Sequence, residues 1–428
     1  MTQLAAAEPA LGQEGDRTFR AACVKVDVTP TDPQWLAGYG PRRSEGVHDR
    51  LFHRIVAMAD GRTQFFLVST DVSTVTPSFY DGFCRELAQE TGIRSEQVWW
   101  STTHTHSAPE LGPPGIAELF TGTLGDRYSH EPDVAYWNRT KGALIEGIKR
   151  ARSRLESARL GVGTGQSLAN MNRRGRTADG KSILGVNPAG PVDRQIGLIR
   201  LERLDGQPIA LIANYAMHGT VLGPQNRLMS GDAPGIVAEY VESQIGAPML
   251  FINGAEGDVA PIYSVRAGFD HSHIGEFNAL LGNRILEANG AVRNTTATVT
   301  LSLTRTVIET PRRPGLGWLD ELADYARTTD AGSNLVRVPV CFLRMNDDIL
   351  LWAAPLELFS EIAMNIRGAS PFPYTFYFGL TNGSLLYLPT KQAFAEGGYE
   401  PAVSPFTAQA EEDFTSGVVE AMQALANR

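Results

Sequence analysis

Three stretches of the chain repeat one pattern of apolar and polar positions. Each contains two apolar runs separated by a short polar turn, and the stretches cover residues 51–73, 196–219 and 336–360. The first two turns contain Asp-Gly, and the third contains Asn-Asp-Asp. Because such turns between apolar runs are typical of β-hairpins, the pattern predicts three antiparallel hairpins.

A helical pattern and a further apolar strand follow each hairpin. The helical patterns cover residues 78–92, 233–247 and 356–368, and the first and third end on glycine, a common helix terminator. The strands that follow contain the sequences VWWST, PMLFING and YTFYFGLTN. This recurring order of hairpin, helix and strand predicts an α/β fold with mixed β-sheets flanked by helices.

Side chains that bind metals or move protons stand where the strands of these units end. His104 and His106 follow the strand of the first unit, His218 ends the second hairpin, and Glu357 lies at the end of the third. Since α/β proteins bind ligands beyond the carboxyl ends of their strands, we predict one metal site where these ends converge. Such ligands suit catalytic zinc, and two histidines with one carboxylate also suit non-haem iron.

The residues alone leave alternatives open. His104 and His106 face the same side only if their segment is extended, so spacing does not decide which of them binds a metal, and both could be surface histidines. Glu357 could instead be an acid in the first turn of a helix over residues 356–367. Tyr387 would ordinarily be a core residue of a strand.

Composition limits the possible classes of function. The 428 residues carry a net charge of −9 and no basic run, which argues against nucleic acid or an anionic membrane as a partner. No stretch approaches the ~20 apolar residues of a membrane span. Residues 1–18 are predicted to form a disordered tail without the features of a secretory signal, so a cytoplasmic location is expected.

Seven short motifs, taken in order, resemble the neutral (non-lysosomal) ceramidase family. The resemblance extends from residue 22 to about residue 401, and it implies a single catalytic domain over residues 19–428, without the family's C-terminal immunoglobulin-like domain. The motifs are GVHDRLFHRIV at 46–56, THTHS at 103–107, NYAMHGT at 214–220, SGDAPG at 230–235, EGDVAP at 256–261, PLEL at 355–358 and LTNGSLLYLPTKQAFAEGGYEP at 380–401.

This resemblance implies zinc-dependent hydrolysis of an amide bond by zinc-bound water. His106 would then lie beside the metal and, together with Arg173, position the substrate or move a proton, while Tyr399 would donate to the oxyanion. The zinc ligands implied by the resemblance are His104, His218, Glu357 and Tyr387.

Two departures from the family bear on the mechanism and the substrate. The serine of the family's Gly-Asp-Val-Ser-Pro motif is replaced by Ala260, so a serine nucleophile is excluded at this position and zinc-bound water is expected. The segments that would grip two lipid chains match poorly. The expected partner is therefore a small N-acyl compound other than ceramide, and the oligomeric state stays open.

Two other functions are compatible with the same residues. The zinc site could serve an acyltransferase or amide-forming enzyme, in which a free amine takes the place of water. The protein could also be a catalytically inactive binding protein, and Ala260 gives this alternative some support.

Overall fold

The computed structural model describes residues 18–112, 130–262, 264–265 and 271–427. The predicted tail therefore lies outside the described residues, apart from Thr18. The helices are α1 Pro77–Thr91, α2 Val134–Ser153, α3 Asp232–Ile245, α4 Asn283–Ala291, α5 Ser360–Ala369, α6 Lys391–Glu396, α7 Tyr399–Val403 and α8 Ala410–Ala426.

The strands range from two to twelve residues in length. In chain order they are β1 Arg20–Asp27, β2 Trp35–Leu36, β3 Arg42–Arg43, β4 Gly46–Val47, β5 Phe52–Ala59, β6 Gln64–Thr70, β7 Val98–Thr102, β8 Glu156–Gln166, β9 Asn170–Arg176, β10 Ser182–Asn187, β11 Gln195–Arg203, β12 Pro208–Tyr215, β13 Leu228–Met229, β14 Met249–Asn253, β15 Val259–Pro261, β16 Leu301–Pro311, β17 Ala326–Thr328, β18 Asn334–Met345, β19 Ile349–Ala353, β20 Glu357–Leu358, β21 Tyr374–Phe378 and β22 Tyr387–Leu388.

The three predicted units are present and share one topology. The hairpins β5–β6, β11–β12 and β18–β19 are antiparallel. Each is followed by a helix and by a strand that runs parallel to its second strand: β6 with β7, β12 with β14 and β19 with β21. The predicted α/β class, with mixed sheets flanked by helices, is confirmed.

Two large sheets pack face to face. Eight strands form one sheet in the order β14-β12-β11-β8-β1-β5-β6-β7, and five form the other, in which β16, β18, β19 and β21 follow one another and β17 pairs with β18. Their shared core contains Trp99 of β7 and Phe378 of β21, whose ring centroids are 6.1 Å apart. Apolar side chains that alternate faces along these strands therefore bury both sheets on one side.

Helices cover the outer face of each sheet. The eight-stranded sheet packs against α1 and α2 at one end and against α3 and α4 at the other. The five-stranded sheet packs against α5 and α8. The result is four layers, helix–sheet–sheet–helix, with both outer sheet faces buried. In the described part of the chain, no helix has the length and apolar character needed to cross a membrane.

The ends of the helices show which boundaries are determined by local sequence signals and which are not. Thr76 caps α1 by accepting from the Phe79 amide, and Gly92 ends it with a φ of 73°, as predicted within one residue. The third predicted helix begins later than expected, at Ser360. Glu357 lies on β20 instead, paired in parallel with Tyr387 of β22, so its interpretation as a helix-opening acid is wrong.

Candidate metal centre

His104 is held by the loop that follows β7. The strand ends at Thr102, and His104 has a φ of 61°, so the segment is not extended there. The explanation that an extended chain would bring His104 and His106 to one side is therefore wrong. The two side chains meet all the same, with their Nε2 atoms 3.3 Å apart, because the His106 amide donates to the Gly219 carbonyl and turns the loop inward.

The orientation of each ring follows from the contact of its Nδ1 atom. His104 Nδ1 lies 2.9 Å from the Ser73 carbonyl oxygen, and His218 Nδ1 lies 2.9 Å from the Val259 carbonyl oxygen. A carbonyl oxygen only accepts hydrogen bonds, so Nδ1 carries the proton in both rings. Each Nε2 therefore presents its lone pair to the interior of the site, which is the form that binds metals.

Glu357 completes the group that we call the His–Glu cluster, made of His104, His218 and Glu357. Its Oε2 atom is 3.3 Å from His104 Nε2 and 3.2 Å from His218 Nε2. Among the residues that the structure describes, this oxygen has no hydrogen-bond donor. All three side chains are buried. Two imidazole nitrogens and an unsatisfied carboxylate oxygen thus converge on one point, where a divalent cation would fit in place of the hydrogen bond that Arg173 donates to His218.

The protonation states suit metal binding. Burial, together with Arg173, lowers the pKa of His218 to about 3, and burial with the neighbouring His104 holds the pKa of His106 well below its usual value. Both rings are therefore neutral at pH 7.

Tyr387 lies beside the cluster because its strand pairs with that of Glu357. Burial and the charge of Glu357 raise the pKa of Tyr387, which keeps the phenol protonated at neutral pH. The ring of Tyr399 lies 5.8 Å from that of Tyr387, in an edge-to-face arrangement. The structure therefore brings together all four residues predicted as metal ligands and the three predicted catalytic residues, His106, Arg173 and Tyr399.

Arg173 reaches the cluster from β9. Its Nη1 atom is 2.9 Å from His218 Nε2, and its Nε atom donates to Glu400 Oε1 at 2.9 Å. Arg174 donates to the other Glu400 oxygen at 2.6 Å. Glu400 is fully enclosed and fixes both arginines, a role that sequence reasoning missed, although Glu400 directly follows Tyr399 in the chain.

A cavity of about 390 Å³ opens onto the cluster. Apolar and small residues form much of its wall, including Gly38, Tyr39, Leu111 and Leu184. Ala260 lines it as well. His218 lies behind this surface, and the predicted site residues that line the cavity are His104, His106, Arg173, Glu357, Tyr387 and Tyr399.

Two nearby acids have structural roles. Asp232 accepts hydrogen bonds from the Val221 and Leu222 amides, and it thereby shapes the loop after His218 without touching that ring. Asp258 accepts from the Ser360 amide at the start of α5. A third acid, Glu256, was not singled out from the sequence, although it opens the EGDVAP motif, and its carboxylate lies at the cluster.

Comparison with known proteins tests the family resemblance of the sequence motifs. Residues 19–277 match the sequence profile described as neutral/alkaline non-lysosomal ceramidase, N-terminal. The chain is 26% identical over 270 residues to neutral ceramidase of Pseudomonas aeruginosa, covering 59% of this chain and 38% of that protein. It is 28% identical over 271 residues to neutral ceramidase B of Dictyostelium discoideum, covering 58% of this chain and 36% of that protein.

The matched region thus spans little more than a third of those relatives. A crystal structure of Pseudomonas aeruginosa neutral ceramidase shares the fold, with a TM-score of 0.75 at 18% identity, and the match covers 96% of this chain and 75% of that one. The profile match covers more than half of the chain, and the predicted resemblance is confirmed. This chain belongs to the neutral/alkaline non-lysosomal ceramidase family.

Proposed function

We propose that this protein is a zinc-dependent amidohydrolase that cleaves the amide bond of an N-acyl compound. One observation carries the proposal: His104 Nε2 and His218 Nε2 both lie within 3.3 Å of Glu357 Oε2 at the base of a cavity. Membership of a family whose relatives include neutral ceramidases supports an amide as the bond that is cleaved.

The donor atoms fit a zinc ion. Zinc binds imidazole nitrogen and carboxylate oxygen at about 2.0–2.2 Å, so ligand atoms of one ion stand a little over 3 Å apart, as the cluster atoms do. His104, His218 and Glu357 would hold the ion, and Tyr387 would add its phenol oxygen. A bound zinc would supply Lewis-acid polarisation of the amide carbonyl and would lower the pKa of a coordinated water.

The remaining steps fall to side chains of the cavity wall. His106 lines the cavity, is neutral, and has its Nε2 atom at the cluster, 3.3 Å from His104 Nε2. It is therefore suited to take a proton from the attacking water and to return it to the leaving amine. Arg173 and the Tyr399 phenol both line the cavity, and we propose that they stabilise negative charge on the carbonyl oxygen. Glu400 keeps the Arg173 guanidinium in place.

Water is the nucleophile in this proposal. Ala260 offers no hydroxyl at the wall of the cavity. The nearby Ser264 hydroxyl donates to the Pro261 carbonyl at 3.1 Å, and no described base lies within hydrogen-bond distance of it. A covalent acyl-enzyme is therefore not part of the mechanism.

The cavity favours a compact substrate. A volume of about 390 Å³, as bounded by the described residues, lies toward the lower end of the ~300–1,000 Å³ common for small-molecule sites. Its wall is partly apolar, as an acyl chain requires. We therefore propose an N-acyl compound smaller than ceramide as the substrate.

Activity assays before and after metal removal test this function. The purified protein would be assayed on short- and long-chain N-acyl amines, N-acyl amino acids and ceramide, then after chelation, and again after zinc is restored. We expect hydrolysis of a short N-acyl compound that disappears on chelation and returns with zinc. Glu357→Gln is the inactive control, and a free amine in the assay reports acyl transfer. Hydrolysis that is unaffected by complete metal removal would contradict the proposal.

A further inference from the structure

Glu256 is a buried carboxyl group beside the His–Glu cluster. Its side chain has no solvent exposure, and neither of its carboxylate oxygens has a hydrogen-bond partner among the described residues. A Glu256 oxygen, a His104 nitrogen and a Glu357 oxygen all lie within 4.8 Å of one another. None of the roles assigned above uses Glu256.

Neither carboxylate oxygen of Glu256 accepts a hydrogen bond from the described protein. A carboxylate that is buried without a donor is strongly unfavourable as an anion unless a cation stands beside it. Arg173 donates through Nε to Glu400 and through Nη1 to His218, and none of its nitrogens is within hydrogen-bond distance of Glu256. A cation placed where His104 and Glu357 also point would supply the missing partner.

One ion is enough to account for all of these groups. His104 Nδ1 is bonded to the Ser73 carbonyl, so this ring offers only Nε2, and one imidazole nitrogen binds one metal. Glu256 shares His104 and Glu357 with the cluster.

Glu256 is enclosed behind the cavity wall. It does not line the cavity wall, and its Oε2 atom lies 3.1 Å from where a Cβ at Gly379 would stand. The Gly257 amide donates to the Leu358 carbonyl at 3.0 Å, which fixes this loop to the strand of Glu357. A carboxylate from this side leaves the cavity side of the ion open to water and substrate.

We propose that Glu256 is an additional metal ligand, which binds the ion of the His–Glu cluster from its closed side; this rests on the proposed function. Two carboxylates and two neutral imidazoles would neutralise a divalent cation. The added oxygen ligand would also raise the affinity for metals that favour carboxylates, such as Mn²⁺, relative to a site without it.

Glu256→Gln separates a ligand from a neutral buried acid, because glutamine keeps the shape and removes the charge. Zinc affinity would be measured by competition with a chromogenic chelator, and the visible spectrum of the Co²⁺-loaded protein would report the coordination. We expect a Kd for zinc weaker by on the order of 100-fold and a changed Co²⁺ spectrum. The matched control is Glu110→Gln, a cavity carboxyl paired with His130, for which both readouts stay as in the wild type.

Unchanged zinc affinity and an unchanged Co²⁺ spectrum in Glu256→Gln would overturn the proposal while leaving the proposed function intact. If wild-type protein binds no zinc, both fail together. A crystal structure of the zinc-loaded wild type covers the case in which the variant misfolds. A Glu256 oxygen within about 2.2 Å of the zinc supports the proposal, and one beyond about 3 Å overturns it.

Discussion

Two buried regions of this molecule hold histidines that differ in one respect. His53 on β5 has both ring nitrogens engaged, Nδ1 with Thr70 Oγ1 at 2.7 Å and Nε2 with the Thr140 carbonyl at 3.0 Å. His218 is equally buried, yet only its Nδ1 meets a carbonyl, while its Nε2 faces Glu357 and Arg173. Burial alone therefore does not identify a metal ligand. The partners of the second nitrogen do: a backbone carbonyl for His53, and the Arg173 and Glu357 side chains for His218.

The largest effect is expected when His218, rather than His53, is replaced. His218→Ala removes a lone pair from the His–Glu cluster, so zinc content and amide hydrolysis should both fall to background. His53→Gln is the matched variant, and it should leave the zinc content of the folded protein unchanged. Plasma emission spectrometry and the hydrolysis assay measure both. Loss of zinc in both variants, or in neither, would break the comparison.

A smaller effect is expected where a side chain acts on the substrate without holding the metal. Tyr399→Phe should lower kcat by roughly 100-fold, because a donor to the developing oxyanion is lost, while zinc content stays as in the wild type. Tyr240→Phe is a suitable control, since its hydroxyl donates to Asn283 on the surface. A Tyr399→Phe protein that keeps wild-type kcat would remove Tyr399 from the mechanism.

The buried, neutral His53 also predicts how the stability of the protein depends on pH. Burial lowers its pKa from 6.5 to about 4, so below pH 6.5 the unfolded chain binds a proton that the folded protein does not. The free energy of unfolding should therefore fall as pH drops from 6.5 to 4, with His53 contributing up to about 3 kcal/mol of the loss. In urea titrations of metal-free protein, His53→Gln should show a flatter profile than the wild type. Identical slopes would mean that His53 is not held neutral.

The smallest effect is expected at Ala260. Restoring a hydroxyl with Ala260→Ser should change kcat/KM by no more than about threefold, because water rather than a side chain attacks the amide. Mass spectrometry of the protein quenched during turnover is the complementary measurement. A large rate increase together with an acylated Ser side chain would contradict the water mechanism.

The sequence predicted what depends on local pattern. Alternating apolar positions and Asp-Gly turns located the three hairpins, and their spacing from helix and strand located the three units. The cap at Thr76 and the stop at Gly92 are equally local, which is why α1 was predicted within one residue.

The site depended on contacts between distant parts of the chain. Glu357 leaves the predicted helix because it pairs with Tyr387, thirty residues later, and no local signal encodes that pairing. The φ of His104 is set by the loop around Gly219 rather than by its neighbours. Glu256 and Glu400 look like ordinary surface acids in sequence, and only the packing of separate elements buries them.

The central claim is that the His–Glu cluster holds one zinc ion. Crystals of zinc-loaded protein measured at the zinc absorption edge test it most directly. The account predicts a single strong anomalous peak in each chain, bonded to His104 Nε2, His218 Nε2 and Glu357 Oε2. The absence of a peak between these atoms under zinc-replete conditions, or a zinc ion bound elsewhere, would contradict it.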